Sequence, residues 1–152
     1  MKIKLIDFGA VKNGLTPKRA HYNDAGLDCF AQENFELYRF GMESIDKEGI
    51  RKPVYMVKVP LGFGLVVPDG YQAVIKPRSS MNAKGIISQI GTIDSGYRGE
   101  ISAIFINLSQ STYTFKKGDK ICQIVIEPVV LAEPVLELEN DRGEGGFGST
   151  GR

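Results

Sequence analysis

The chain has 152 residues, enough for one domain with a sizeable core, and its 42% hydrophobic and 24% charged residues are ordinary for a globular protein. Its 19 basic and 18 acidic residues leave a net charge of +1, which excludes a general electrostatic grip on nucleic acid or membrane. No apolar run is long enough to span a bilayer, and MKIKLIDFGAVKNG lacks the apolar core and cleavage site of a secretory signal. A cytoplasmic location is expected.

Strand signals dominate in chain order. KIKLI (2–6), GLDCFA (26–31), VYMVKV (54–59), GFGLVV (62–67) and YQAVIKP (71–77) are short runs rich in β-branched and aromatic residues, separated by Gly, Pro, Asn and Asp. TID (92–94), EISAIFINL (100–108), STYTF (111–115) and KICQIVIEPVVL (120–131) continue the rhythm. Only SSMNAK (79–84) reads as a helix, and no longer stretch carries a 3.6-residue period. Many short strands at even spacing predict an all-β barrel or sandwich. Residues 38–53, YRFGMESIDKEGIRKP, break the pattern and read as a surface excursion. From Glu133 the alternation is lost, and the chain closes on RGEGGFGSTGR. In ISAIFINL apolar residues fall on both faces, which predicts cover on both sides, one of them open to a second subunit. Cys29 and Cys122 lie in apolar strands and are expected to be reduced core thiols.

Five segments carry polar groups that could serve chemistry. In KPRSSMNAKG, Arg78 offers a fork of donors suited to phosphate oxygens, and Ser79 and Ser80 open a short helix. A plain helix cap beside an exposed arginine would look the same. In GTIDSGYRGE, Asp94 stands at a strand end before a Ser-Gly turn, with Tyr97 three residues on; a turn-capping carboxylate is the bland alternative. Asp28 in AGLDCFA and Gln123 in GDKICQIVI each face away from their apolar strand neighbours. The glycines of the last segment can turn successive N–H groups toward an anion, Ser149 and Thr150 add hydroxyls, and Phe147 adds a flat apolar face. Phosphate donors beside a stacking ring describe a nucleotide lid.

In this order the segments resemble the five motifs of the homotrimeric all-β dUTP pyrophosphatases (dUTPases): AGLD (25–28), PRSS (77–80), GTIDSGYRG (91–99), GDKICQ (118–123) and RGEGGFGSTG (142–151). The resemblance covers the chain from about Ile3 to its end, with 38–53 outside it. It implies a small distorted β-barrel, jelly-roll-like, with one short helix, spanning 1–140, and a glycine-rich lid over 141–152 exchanged between the subunits of a trimer. It further implies hydrolysis of dUTP to dUMP and pyrophosphate, which limits uracil in DNA and supplies dUMP for dTMP synthesis.

By the same resemblance, Asp94 orients and deprotonates the water that attacks the α-phosphate. Tyr97 presses on the deoxyribose, and Gln89, Gly91, Thr92 and Ile93 present main-chain groups to uracil. Arg78, Ser79, Ser80 and Gln123 contact the phosphates. Asp28 and Gln123 hold Mg²⁺ through its water shell, consistent with an ion that keeps waters and prefers phosphate oxygens. Phe147 stacks over uracil while Arg142, Gly146, Gly148, Ser149 and Thr150 close on the γ-phosphate. The chain departs from the family pattern at Ser80, where glycine is common, and in NAKGIISQI, about a residue shorter than usual. Two other readings stand beside this one. A dCTP deaminase of the same superfamily, or a bifunctional deaminase and dUTPase, would need an acidic residue at the base, and Glu100 is the only one nearby. A phage-encoded relative, in the host cytoplasm, would be a nucleotide-gated module that binds a regulatory protein through 38–53.

Overall fold

The computed structural model describes residues 1–135, and the expected lid with Arg142, Gly146, Phe147, Gly148, Ser149 and Thr150 lies outside the described residues. Thirteen short strands follow one another: β1 (Lys4–Asp7), β2 (Leu27–Phe30), β3 (Phe35–Leu37), β4 (Glu43–Ile45), β5 (Arg51–Pro53), β6 (Met56–Pro60), β7 (Phe63–Val66), β8 (Tyr71–Lys76), β9 (Ile86–Ser88), β10 (Gly91–Ile93), β11 (Ser102–Asn107), β12 (Tyr113–Phe115) and β13 (Lys120–Pro128). They form a four-stranded sheet in the order β10-β8-β13-β2, a three-stranded sheet β6-β11-β9, and the pairs β1-β7, β12-β3 and β4-β5. One core lies between them, built on Leu37, Leu61, Phe63, Phe105, Phe115 and Ile121, all fully buried. The all-β expectation holds.

Two helices are present rather than one. Besides α2 (Ser79–Asn82), the single turn α1 (Ala10–Asn13) was not expected. Four residues are too few to show a helical period; local hydrogen bonds make this turn instead. The Asp7 carboxylate accepts from the N–H groups of Gly9 and Val11, both at 3.0 Å, which also draws its pKa below the usual value.

The strand β13 organises the largest sheet because it pairs on both sides, with β2 and with β8. It starts from a turn over Lys116–Asp119, in which Gly118 takes φ +89° and Asp119 accepts the N–H of Lys116 at 2.9 Å. The Gly-Asp of GDKICQ is therefore turn chemistry. A bulge follows: Lys120 pairs with Phe30, but Cys122 already pairs with Cys29. The extra residue lets Ile121 and Cys122 both enter the core in succession. It also brings Lys120 and Gln123, three apart and so on opposite faces of a regular strand, onto the outer face that Asp28 occupies.

The two thiols face each other across β2 and β13, free and fully buried, as expected of reduced core cysteines. The hydrogen bond between them, with burial second, pushes the Cys29 pKa well above its usual value. In β11 the alternation is one-sided: Ala103, Phe105 and Asn107 are buried, while Ser102, Ile104 and Ile106 are half-buried. Asn107 is satisfied inside the core, its Nδ2 donating to Leu37 O and Ser111 O and its Oδ1 accepting from Ser109.

The excursion at 38–53 contains a β-hairpin with no buried strand residue. Its strands escaped sequence reading because they are short and largely polar. The turn is made by Asp46, whose Oδ1 accepts from the N–H groups of Glu48 and Ile50 and whose Oδ2 meets Lys52 Nζ at 2.7 Å.

Candidate active site

Asp94 follows the last residue of β10, where buried Ile93 anchors the strand end and leaves the carboxylate exposed. The next residues turn back at once, with the Tyr97 N–H donating to Asp94 O at 3.1 Å. Asp94, Tyr97, Gly91, Thr92, Ile93 and Glu100 share one pocket of about 240 Å³. Gln89 does not line it; that side chain borders a neighbouring hollow of about 150 Å³ with Ile90 and Ile104. The strand β10 pairs with β8 on one side only, so its outward main-chain groups have no strand partner among the described residues. Free N–H and C=O groups at the rim of a small pocket suit a flat polar edge such as a nucleobase.

A second cluster sits where β13, β2 and the end of β8 meet. Asp28 and Gln123 are direct cross-strand partners. The Asp28 carboxylate lies between two cations, Lys120 Nζ at 2.7 Å and Arg78 Nε at 3.7 Å. Arg78 also donates through Nη1 to Lys120 O at 2.8 Å, and Gln123 Nε2 donates to Pro77 O at 3.2 Å. Buried Gly26, of the motif AGLD, is required here by close approach: a Cβ on it would fall 2.4 Å from Gln123 Oε1. Ser79 and Ser80 open α2 with exposed side chains beside Arg78. Two cations and two hydroxyls around one carboxylate make an anion site with a single acidic anchor.

Sequence reasoning missed Lys120, although it lies inside a quoted motif, because without the bulge it points away from Asp28. The partner of Glu100 was not legible either. That carboxylate is engaged in the structure, its Oε1 accepting the Gly62 N–H at 2.9 Å.

No cluster of three or more His, Cys, Asp or Glu side chains that could cage a metal occurs among the described residues. Asp28 is a lone carboxylate already facing two cations. Such a donor set fits a hydrated divalent ion held mainly by substrate phosphates, and does not fit an all-protein cage.

The two clusters do not meet within one chain. Asp94 falls beside Tyr71 and Gln72 at the start of β8, whereas Arg78 lies past its end, roughly 20 Å further along the strand direction.

Comparison with known proteins matches residues 12–151 to the dUTPase family model. The deoxyuridine 5'-triphosphate nucleotidohydrolase of Clostridium kluyveri is 41% identical over 146 residues, 92% of each chain, and that of Clostridium tetani is 37% identical over 158 residues, covering 100% of this chain and 97% of its own. Among solved structures, the dUTPase of Staphylococcus bacteriophage 80alpha with dUpNHpp superposes with a TM-score of 0.79 at 24% identity, covering 99% of both chains. The dUTPase of phage phi11 of S. aureus, in which a structural Mg(II) ion is coordinated, gives 0.75 at 21% identity over 93% of this chain and 100% of that one. Phage dUTPases of the 80alpha kind are described as controlling transfer of virulence genes by a proto-oncogenic G protein-like mechanism.

Substituting Asp28→Asn should leave Arg78 and Lys120 facing each other without a counter-ion. Urea unfolding should read a loss of about 1–2 kcal/mol at low salt, shrinking in high salt. A variant as stable as the parent at both ionic strengths would show that the cluster is not held together by charge.

Proposed function

This chain belongs to the dUTPase family and hydrolyses dUTP to dUMP and pyrophosphate, and we propose that Asp94 is its general base, acting on the α-phosphate in a site completed by neighbouring copies. The observation that carries this reading is the pocket where a rigidly rooted carboxylate, a tyrosine and the free edge of β10 converge. The Asp94 carboxylate takes a proton from a bound water as the water oxygen bonds to the α-phosphorus. The bond from that phosphorus to the bridging oxygen breaks, and pyrophosphate leaves. Little covalent work falls to the protein in such chemistry, which is mainly positioning and charge neutralisation.

Tyr97 packs against the deoxyribose, where a 2′-hydroxyl finds no room, and the main chain of Gly91–Ile93 reads the uracil edge. Gln89 acts through its backbone if at all, since its side chain faces another hollow. Arg78, Ser79, Ser80 and Gln123 bind the triphosphate, joined by Lys120. Asp28 and Gln123 would hold magnesium through its water shell, and the ion would supply charge neutralisation to the phosphates. These groups reach a substrate seated at Asp94 only from a second chain, given the span of β8. A homotrimer would supply that chain, and the half-buried face of Ile104 and Ile106 suits the contact. Arg142, Gly146, Phe147, Gly148, Ser149 and Thr150 close over the nucleotide as a lid. The deaminase alternative loses its carboxylate, because Glu100 is bound to the Gly62 N–H. The reaction belongs in the cytoplasm, and no described helix is long and apolar enough to cross a membrane.

A second role is supported by the hairpin of β4 and β5, which projects with Ile45 and Ile50 exposed. We read it as a docking site for a regulatory protein, added to the enzyme.

Asp94→Asn should bind dUTP with little change and release pyrophosphate at least about 100-fold more slowly; near-normal turnover would remove Asp94 from the chemistry. Truncation after Asp141 should abolish most turnover with an unchanged circular dichroism spectrum and melting temperature, whereas unfolding would make that segment structural. Deleting residues 41–51 should leave hydrolysis intact and abolish capture of a regulator that the full chain binds. Retained capture would dismiss the hairpin as the docking site.

A further inference from the structure

Gly99 needs no glycine for its own backbone, since it is not among the residues with positive φ. Its need comes from Tyr97. A Cβ at position 99 would lie 2.4 Å from Tyr97 Oη, 2.7 Å from Cζ and 3.2 Å from Cε2, so the three nearest atoms all belong to that one side chain. The same hydroxyl donates to Glu100 O at 2.9 Å. Glu100 is in turn fixed by its carboxylate on the Gly62 N–H at 2.9 Å. Beneath lies Gly64 of β7, where a Cβ would come within 2.6 Å of Gly99 O, so the two backbones are in close approach.

Tyr97 is 46% exposed, too open for packing alone to set its ring. A half-exposed ring ordinarily samples several rotamers. Here the bare Cα at 99 gives the ring its space and the carbonyl of Glu100 holds its hydroxyl, with Gly64 of β7 behind Gly99 and Gly62 holding Glu100. We propose that Gly99 and Glu100 form a seat that positions the Tyr97 ring, and through the ring selects deoxyribose over ribose. This rests on the reading that Tyr97 contacts the sugar. Steric exclusion of one hydroxyl depends on sub-ångström placement, so a displaced ring loses selectivity while Asp94, on the preceding strand end, keeps its chemistry. Gly99 and Glu100 are positioning residues in this account.

The test compares kcat and KM for dUTP and UTP in the parent, Tyr97→Ala, Gly99→Ala, Glu100→Ala and the Tyr97→Ala/Gly99→Ala double variant, with melting curves for each. Gly99→Ala should lower the ratio of kcat/KM for dUTP to that for UTP by about tenfold or more, chiefly by raising kcat/KM for UTP. Glu100→Ala should shift the ratio in the same direction. In the Tyr97→Ala background the added methyl meets no ring, so the double variant should match Tyr97→Ala. A Gly99→Ala enzyme with an unchanged ratio, beside a Tyr97→Ala enzyme with a lowered one, overturns the seat alone. An unchanged ratio in Tyr97→Ala overturns the sugar contact, and the seat's role with it. If Gly99→Ala does not fold, recovery of folded double variant supports the contact, and failure of both overturns it.

Discussion

Two-sided pairing of β13 is the constraint on which the anion cluster depends. Its hydrogen bonds to β2 place Gln123 opposite Asp28, and those to β8 place Gln123 opposite Lys76, one residue before Pro77 and Arg78. Three sequence-distant segments thus meet without any loop having to find its partner. The bulge at the start of β13 then turns Lys120 to the same face. Asp28 accordingly neutralises both Lys120 and Arg78.

The sheet also explains why one chain is not a whole site. The strand β8 carries the Asp94 pocket alongside its first residues and the cation cluster beyond its last, and an extended strand cannot fold back to join them. In the proposed reading, a triphosphate bound at one end is met by the other end of a neighbouring copy. The outer face of β11 fits the same reading, because Ile104 and Ile106 on it are only half-buried by the chain's own core.

Glycine has two distinct uses around the site. At Gly118 it supplies a left-handed turn that begins β13. At Gly26 and Gly99 the backbone is unremarkable in φ and the requirement is space, for Gln123 and for Tyr97 respectively. The motif glycines are thus contact surfaces for the polar residues beside them, and rigidity of the backbone is transferred to exposed side chains.

The all-β class and nine of the thirteen strands were legible in the chain because alternation and turn residues are local signals. The longer strands β8, β11 and β13 stood out by their β-branched runs, and Asp94 could be placed at a strand end from the apolar residues before it. The five ordered segments identified the chemistry, since residue types and spacing are written in the chain itself. The strands β3, β4, β5 and β9 and the turn α1 were not legible, being three or four residues long and stabilised by partners or by single side chains such as Asp46 and Asp7. Nor was the commitment of Asp28 to Lys120, the engagement of Glu100 by Gly62, or the division of the site between the ends of β8. Each of these depends on register and on which face a residue presents after a bulge. Those are properties of pairing between distant segments, and only the tertiary structure decides them.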